Sequence, residues 1–210
     1  MSYDLFALPQ RSAADADGAL ALMRRGDTST PDATVPTRDV AALIDLAEGN
    51  RSRLGVVHED PSPHGVGAYF SASWSDAEAS RAALIPAAAS LGFDVYDPQE
   101  HLLFDTADAR AVEVVHGGLG VFPVLSRAVS TTLVARLAEP DPYLIVSRDA
   151  DVYVQTLIRD GHCVIEHRDG SADRHFAADV SPDAVADLIW AWTESGPSAL
   201  SHLDWSKVEF

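Results

Sequence analysis

The stretch from Tyr143 to Val180 constrains the fold more than any other part of this 210-residue chain. Tyr143–Arg148, Val152–Ile158, His162–Arg168 and His175–Val180 are rich in Val, Ile, Tyr and Phe. They are separated by Asp149-Ala150-Asp151, Arg159-Asp160-Gly161 and Asp169-Gly170-Ser171. β-Branched and aromatic residues suit a pleated surface, and Asp-Gly between two such runs is a hairpin signal, because glycine takes the positive φ of a tight turn. The segment reads as a strand meander. Ser181-Pro182-Asp183 then places a capping serine before a proline at the first helical position, and Gly196 ends the predicted helix Pro182–Ser195.

Upstream, Ser2–Leu8 alternates enough for a strand, and Ser12-Ala13-Ala14-Asp15 has capping-box-like spacing before a short helix ended by Arg24-Arg25-Gly26. Asp27–Pro36 reads as a polar loop. Thr37 can cap a helix in which Val40, Leu43, Ile44 and Ala47 recur at three- and four-residue steps. Leu54–His58 and Val66–Trp74 read as strands, and Ser75-Asp76-Ala77-Glu78 as a capping box for an Ala-rich helix to Leu91. Pro86 predicts a kink or a broken turn there. Phe93–Asp97 and Val112–Val115 are further strands, and Leu125–Ala138 a helix. The order predicts an α+β fold of two modules, 1–105 and 106–210, each a mainly antiparallel sheet with helices on one face, divided near Thr106.

The formal charge of −17 is shared almost evenly, −9 in residues 1–105 and −8 in 106–210, so there is no basic patch or tail. Nucleic-acid binding is disfavoured because it needs Lys and Arg to neutralise phosphates, and anionic membranes are disfavoured for the same reason. Two readings of the charge remain open: it maintains solubility, or it steers a basic protein partner. Cys163 stands alone, which fits a reducing cytoplasm, and no basic helix terminus near it would activate the thiol. No apolar run approaches the roughly 18 residues of a membrane span, and Met1–Leu5 lacks the pattern of a secretory signal. The expected location is cytoplasmic.

No complete catalytic set is visible. His116-Gly117-Gly118-Leu119-Gly120 resembles the oxyanion loop of α/β-hydrolases, but no Gly-x-Ser-x-Gly nucleophile elbow accompanies it, so a turn is the simpler reading. His162, His167 and His175 cluster with Cys163. His162 and His167 fall on opposite faces of one strand, whereas His175 is placed to be a cross-strand neighbour of His167. Two histidines fall short of the four ligands of a structural zinc, so no metal and no cofactor is expected. Asp149, Asp151, Asp160, Asp169 and Asp173 lie at hairpin turns, where local backbone bonding favours Asp. Together they would form an acidic rim for a basic cleft. Trp190 and Trp192 are two apart on a helix and so face about 200° apart. One is expected under the sheet and the other at the surface as an interface anchor.

Two segments carry a resemblance. Met1-Ser2-Tyr3-Asp4-Leu5, with Gly92-Phe93-Asp94-Val95-Tyr96-Asp97-Pro98-Gln99, resembles a family of uncharacterised actinobacterial proteins. Tyr153-Val154-Gln155, the run Ile165–Phe176 and Trp205 are similar to the sheet-and-helix module of immunity proteins found beside polymorphic toxin genes, with His167 in place of a tyrosine. That resemblance implies a non-enzymatic protein that binds a basic toxin domain and masks its active site. The partner-binding residues would be Asp149, Asp151, Asp169 and Asp173 with Trp190 or Trp192. The alternative is a small enzyme or ligand-binding domain in a groove between the modules, using His116, or His167 and His175.

Overall fold

Strand β1 (Ser2–Pro9) is the centre of the first of two units, Met1–Ala109 and Arg110–Phe210. The computed structural model describes residues 2–26, 37–54, 61–159 and 161–209. In the first unit β1 pairs antiparallel with β3 (Gly67–Ser73) and with β4 (Phe93–Asp97). β2 (Ser62–His64) and β5 (Leu102–Phe104) complete a five-stranded sheet in the order β2-β3-β1-β4-β5. Gly67 permits the β1–β3 approach, because a Cβ there would lie 1.8 Å from the carbonyl oxygen of Ala7. Both faces of the sheet are buried. Phe6, Leu8 and Tyr96 on one face pack with Ala19 of α1 (Ala16–Gly26). Tyr3 on the other face meets Arg81 of α3 (Ala77–Ser90), along which α2 (Thr37–Leu54) packs.

The α+β class is thus as expected, and in this unit α1 takes the face opposite α2 and α3 rather than sharing theirs. Asp15 caps α1 by accepting a hydrogen bond from the Gly18 N–H at 2.8 Å. The predicted capping box before α3 does not form; Trp74–Asp76 is a 3₁₀ turn, and Asp76 makes no side-chain cap. α3 runs through Pro86, whose ring faces solvent. Leu54 ends α2 instead of opening a strand, and the rest of the expected strand at 55–58 lies outside the described residues, as do the loop 27–36 and Asp160.

In the second unit β6 (Arg110–His116), β7 (Gly120–Leu125), β8 (Tyr143–Asp149), β9 (Val152–Arg159), β10 (His162–Asp169), β11 (His175–Val180) and β12 (Ser206–Lys207) form a seven-stranded antiparallel sheet. Its order is β12-β11-β10-β9-β8-β6-β7, so the predicted meander of β8 to β11 is present. Register aligns Val114, Val146, Val154, His167 and Phe176 in one row across the sheet. α4 (Arg127–Ala135) and α5 (Val185–Ser195) pack together, and α5 meets β6 and β9. Ser126 caps α4 by accepting from the Val129 N–H at 3.3 Å. The units divide between Ala109 and Arg110, a few residues beyond Thr106.

Candidate functional site

The meander register brings Asp149, Asp151, Asp169 and Asp173 to one end of the second sheet. Asp169 lies opposite Val152, the first residue of β9, and the Gly170 N–H donates to the Asp151 carbonyl at 2.7 Å. Asp151 pairs with Arg168 at 3.1 Å, Asp173 with Lys207 at 3.3 Å, and Asp169 with Arg174. Asp149 accepts a bond from the adjacent Ala150 N–H at 2.7 Å. The rim is therefore exposed and acidic but largely cross-linked by its own cations.

Beside Asp149 the sheet opens. β8 bulges between Ser147 and Asp149, and its pairing with β6 extends only to Glu113–Ser147. The splayed strands leave an open cleft of about 460 Å³ lined by Ala111, Val112, Glu113, Ser147, Arg148 and Asp149. The Arg148 guanidinium turns inward and donates to the carbonyls of Trp192 at 3.0 Å and Thr193 at 2.7 Å. A cation on the last carbonyls of α5 is favoured by their partial negative charge. The lining thus carries three exposed charged residues, the carboxylates of Glu113 and Asp149 and the guanidinium of Arg148.

The expected tryptophan anchor does not exist on α5. Trp190 is 4% and Trp192 0% exposed. The 200° separation does point them apart. However, α5 has the sheet on one side and α4 with the 3₁₀ turn Pro197–Leu200 on others, so both rings are enclosed. Arg110 lies 5.7 Å over the Trp190 ring and Arg148 5.0 Å over the Trp192 ring.

His116, His167 and His175 are all buried. His116 is buried; its Nε2–H donates to the Leu133 carbonyl at 3.1 Å while Nδ1 accepts from the Gly118 N–H at 3.1 Å. That pair of bonds defines a neutral ring, and burial pushes its pKa down. The glycine loop is the β6–β7 hairpin, and a Cβ on Gly117 would lie 2.1 Å from the Asp141 carbonyl oxygen. His167 and His175 are not cross-strand partners. His167 opposes Phe176 and His175 opposes Arg168, so the two rings lie on opposite faces and cannot share a metal. His167 is stacked on Phe176 at 5.4 Å and meets Trp205 edge-on at 4.6 Å, and burial lowers its pKa. His175 donates to Glu166 at 3.0 Å, and Gln155 donates to the same oxygen at 2.7 Å. Cys163 is buried, and burial raises its pKa, which makes it a poor nucleophile.

Sequence reasoning missed a buried polar network in the first unit. Tyr3, Arg81 and Asp97 are 1%, 2% and 0% exposed. Tyr3 donates to Asp97, Arg81 donates to the Tyr3 hydroxyl at 2.9 Å, and the Gln99 and Glu100 N–H groups donate to Asp97 at 3.1 and 3.0 Å. Gln99 also accepts from the Asp4 N–H at 3.0 Å. The network joins Tyr3 and Asp4 to Asp97 and Gln99, which lie in the two stretches that carry the first resemblance. Burial raises the pKa of both Asp97 and Tyr3. Trp74 meets Tyr3 edge-on at 5.2 Å and is 49% exposed. No helix among the described residues is long and apolar enough to cross a membrane. Comparison with known proteins finds no matching family model, no matching curated protein and no matching solved structure.

Proposed function

We propose that this chain is a non-enzymatic, immunity-type protein that neutralises a bacterial toxin domain in the cytoplasm by covering its basic active site. The observation that supports it is the gathering of Asp149, Asp151, Asp169 and Asp173 at one sheet end, beside an open cleft lined by Glu113, Arg148 and Asp149. The pairs Asp151–Arg168 and Asp173–Lys207 are exposed on the carboxylate side, and exposed pairs contribute only about 0–1 kcal/mol. Cations from a partner can replace the intrachain ones at little cost. Rim charges of this kind set the association rate and its salt dependence.

The direct experiment is co-expression and pull-down with the C-terminal domain of a toxin encoded next to this gene, together with protection from killing. Absence of both binding and protection removes the neutralisation reading. Replacing Asp149, Asp151, Asp169 and Asp173 together by Asn should slow association by about ten-fold at low salt and flatten its salt dependence, with little change in dissociation. Wild-type association by the quadruple variant at every ionic strength would place the interface elsewhere.

A further inference from the structure

The segment that follows the 3₁₀ turn Pro197–Leu200 folds back along the edge of the second sheet as a narrow strap. β12 pairs with β11 only at Ser206–Ala177 and Lys207–Phe176, and the Val208 N–H donates to the His175 carbonyl at 3.0 Å. Lys207 reaches Asp173 at 3.3 Å, an exposed pair that contributes little. The main anchor is Trp205. It is half-buried, donates its indole N–H to the Leu200 carbonyl at 3.0 Å, and lies edge-on to His167 at 4.6 Å.

His167 is stacked on Phe176, and its Nδ1 is buried without a hydrogen-bond partner. A neutral ring with its proton on Nε2 leaves only a lone pair at that atom. A proton on Nδ1 makes a charged N–H with no acceptor, and burying an unpaired charge costs far more than burying a lone pair. The cost falls if water reaches the ring, so its cover must move. β10 is paired along its length with β9 and from Cys163 to Arg168 with β11, whereas the strap is the weakest cover. The surrounding charges do not supply an acceptor. Asp169 attracts the proton but is already paired with Arg174, which repels it, as does His175. Lys207 lies in the same row as His167 and Phe176, Val154 fills that row from β9, and Asp204 on the strap is exposed.

We propose that residues 205–209 form an acid-released strap: a proton on Nδ1 of His167 drives Trp205 off the sheet and parts β12 from β11. Release also withdraws Lys207 from Asp173. The device needs no partner, so it does not rest on the toxin reading. The test is hydrogen exchange of the ¹⁵N-labelled, assigned full chain at pH 7.5 and 5.5, with rates expressed as protection relative to the intrinsic rate at each pH. Protection of the Trp205 indole N–H and the Val208 amide should fall about ten-fold, the limit for one proton taken up by an opened histidine with a pKa of about 6.5. Amides within the β9–β10 ladder should keep their protection. His167→Phe retains an aromatic ring but binds no proton, and should show strap protection that does not change with pH. His167→Gln, also neutral, should behave in the same way and serves if the first variant fails to fold. Unchanged protection of Trp205 and Val208 in the wild type at pH 5.5 would overturn the proposal, as would an equal loss in either folded variant. A loss shared by the β9–β10 ladder would also overturn it, because the strap would then not open by itself.

Discussion

His116 and His167 are both held neutral, for different reasons. Protonating His116 would destroy the Nδ1 acceptor that takes the Gly118 N–H. Protonating His167 would place a charge among Phe176, Trp205 and the strand interior, with Arg174 and His175 adding repulsion and Asp169 offsetting part of it. Folded-state pKa values below the unfolded value give stability that is present above about 6.5 and is lost as pH falls through that value. Asp94 and Asp97 act in the opposite sense, because burial raises their pKa and their contribution is lost as pH rises. The histidine effect is therefore best read as a difference between variants. Urea unfolding at pH 7.5 and 5.5 should show His167→Phe losing on the order of 1 kcal/mol less than wild type over that interval. Identical losses would mean that His167 is not held neutral by the fold.

At the scale of elements, α5 depends on what closes its end. Gly196 sits at φ 76°, donates to the Trp192 carbonyl at 2.7 Å, and leaves room for Arg148, whose guanidinium would be 3.0 Å from an added Cβ. Arg148→Met keeps the stem but removes two charge-assisted bonds, and should cost about 1.5–3 kcal/mol by thermal or urea unfolding. A variant as stable as wild type would show that water satisfies those carbonyls equally well. This cap also marks where sequence legibility ends. The hairpins of β8 to β11 could be read because Asp-Gly and alternation act over a few residues, and the acidic turns followed from them. A helix wheel for α5 presumes one buried side, and it failed at Trp190 and Trp192 because the neighbours on the far side come from distant segments. His167 and His175 were misplaced because a one-residue change in register reverses the face of a side chain. The Tyr3–Arg81–Asp97 network lay beyond local pattern altogether, since it needs β1, α3 and β4 assembled.

At the scale of the molecule, each unit has its own sheet and its own buried side chains, Phe6, Leu8 and Tyr96 in one and Val146, Val154 and Ile189 in the other. Residues 110–210 expressed alone should unfold cooperatively and keep a near-ultraviolet dichroism signal from the enclosed Trp190 and Trp192. A fragment that binds a hydrophobic dye and lacks that signal would show that the unit is not autonomous. The pairing of β1 carries a consequence in time. Its register joins Ser2 to Ser73 and Ala7 to Ala68, whereas β10 and β11 join Arg168 to His175 across a short turn. Loop-closure entropy falls before long-range contacts can offset it, so hairpins of the second unit form early, on the order of microseconds. The first unit must wait for β3, and until then Leu5, Phe6, Ala7 and Leu8 stand as an unpaired apolar strand. Refolding of the full chain from denaturant would thus leave β1 exposed longest, and self-association during folding would begin there.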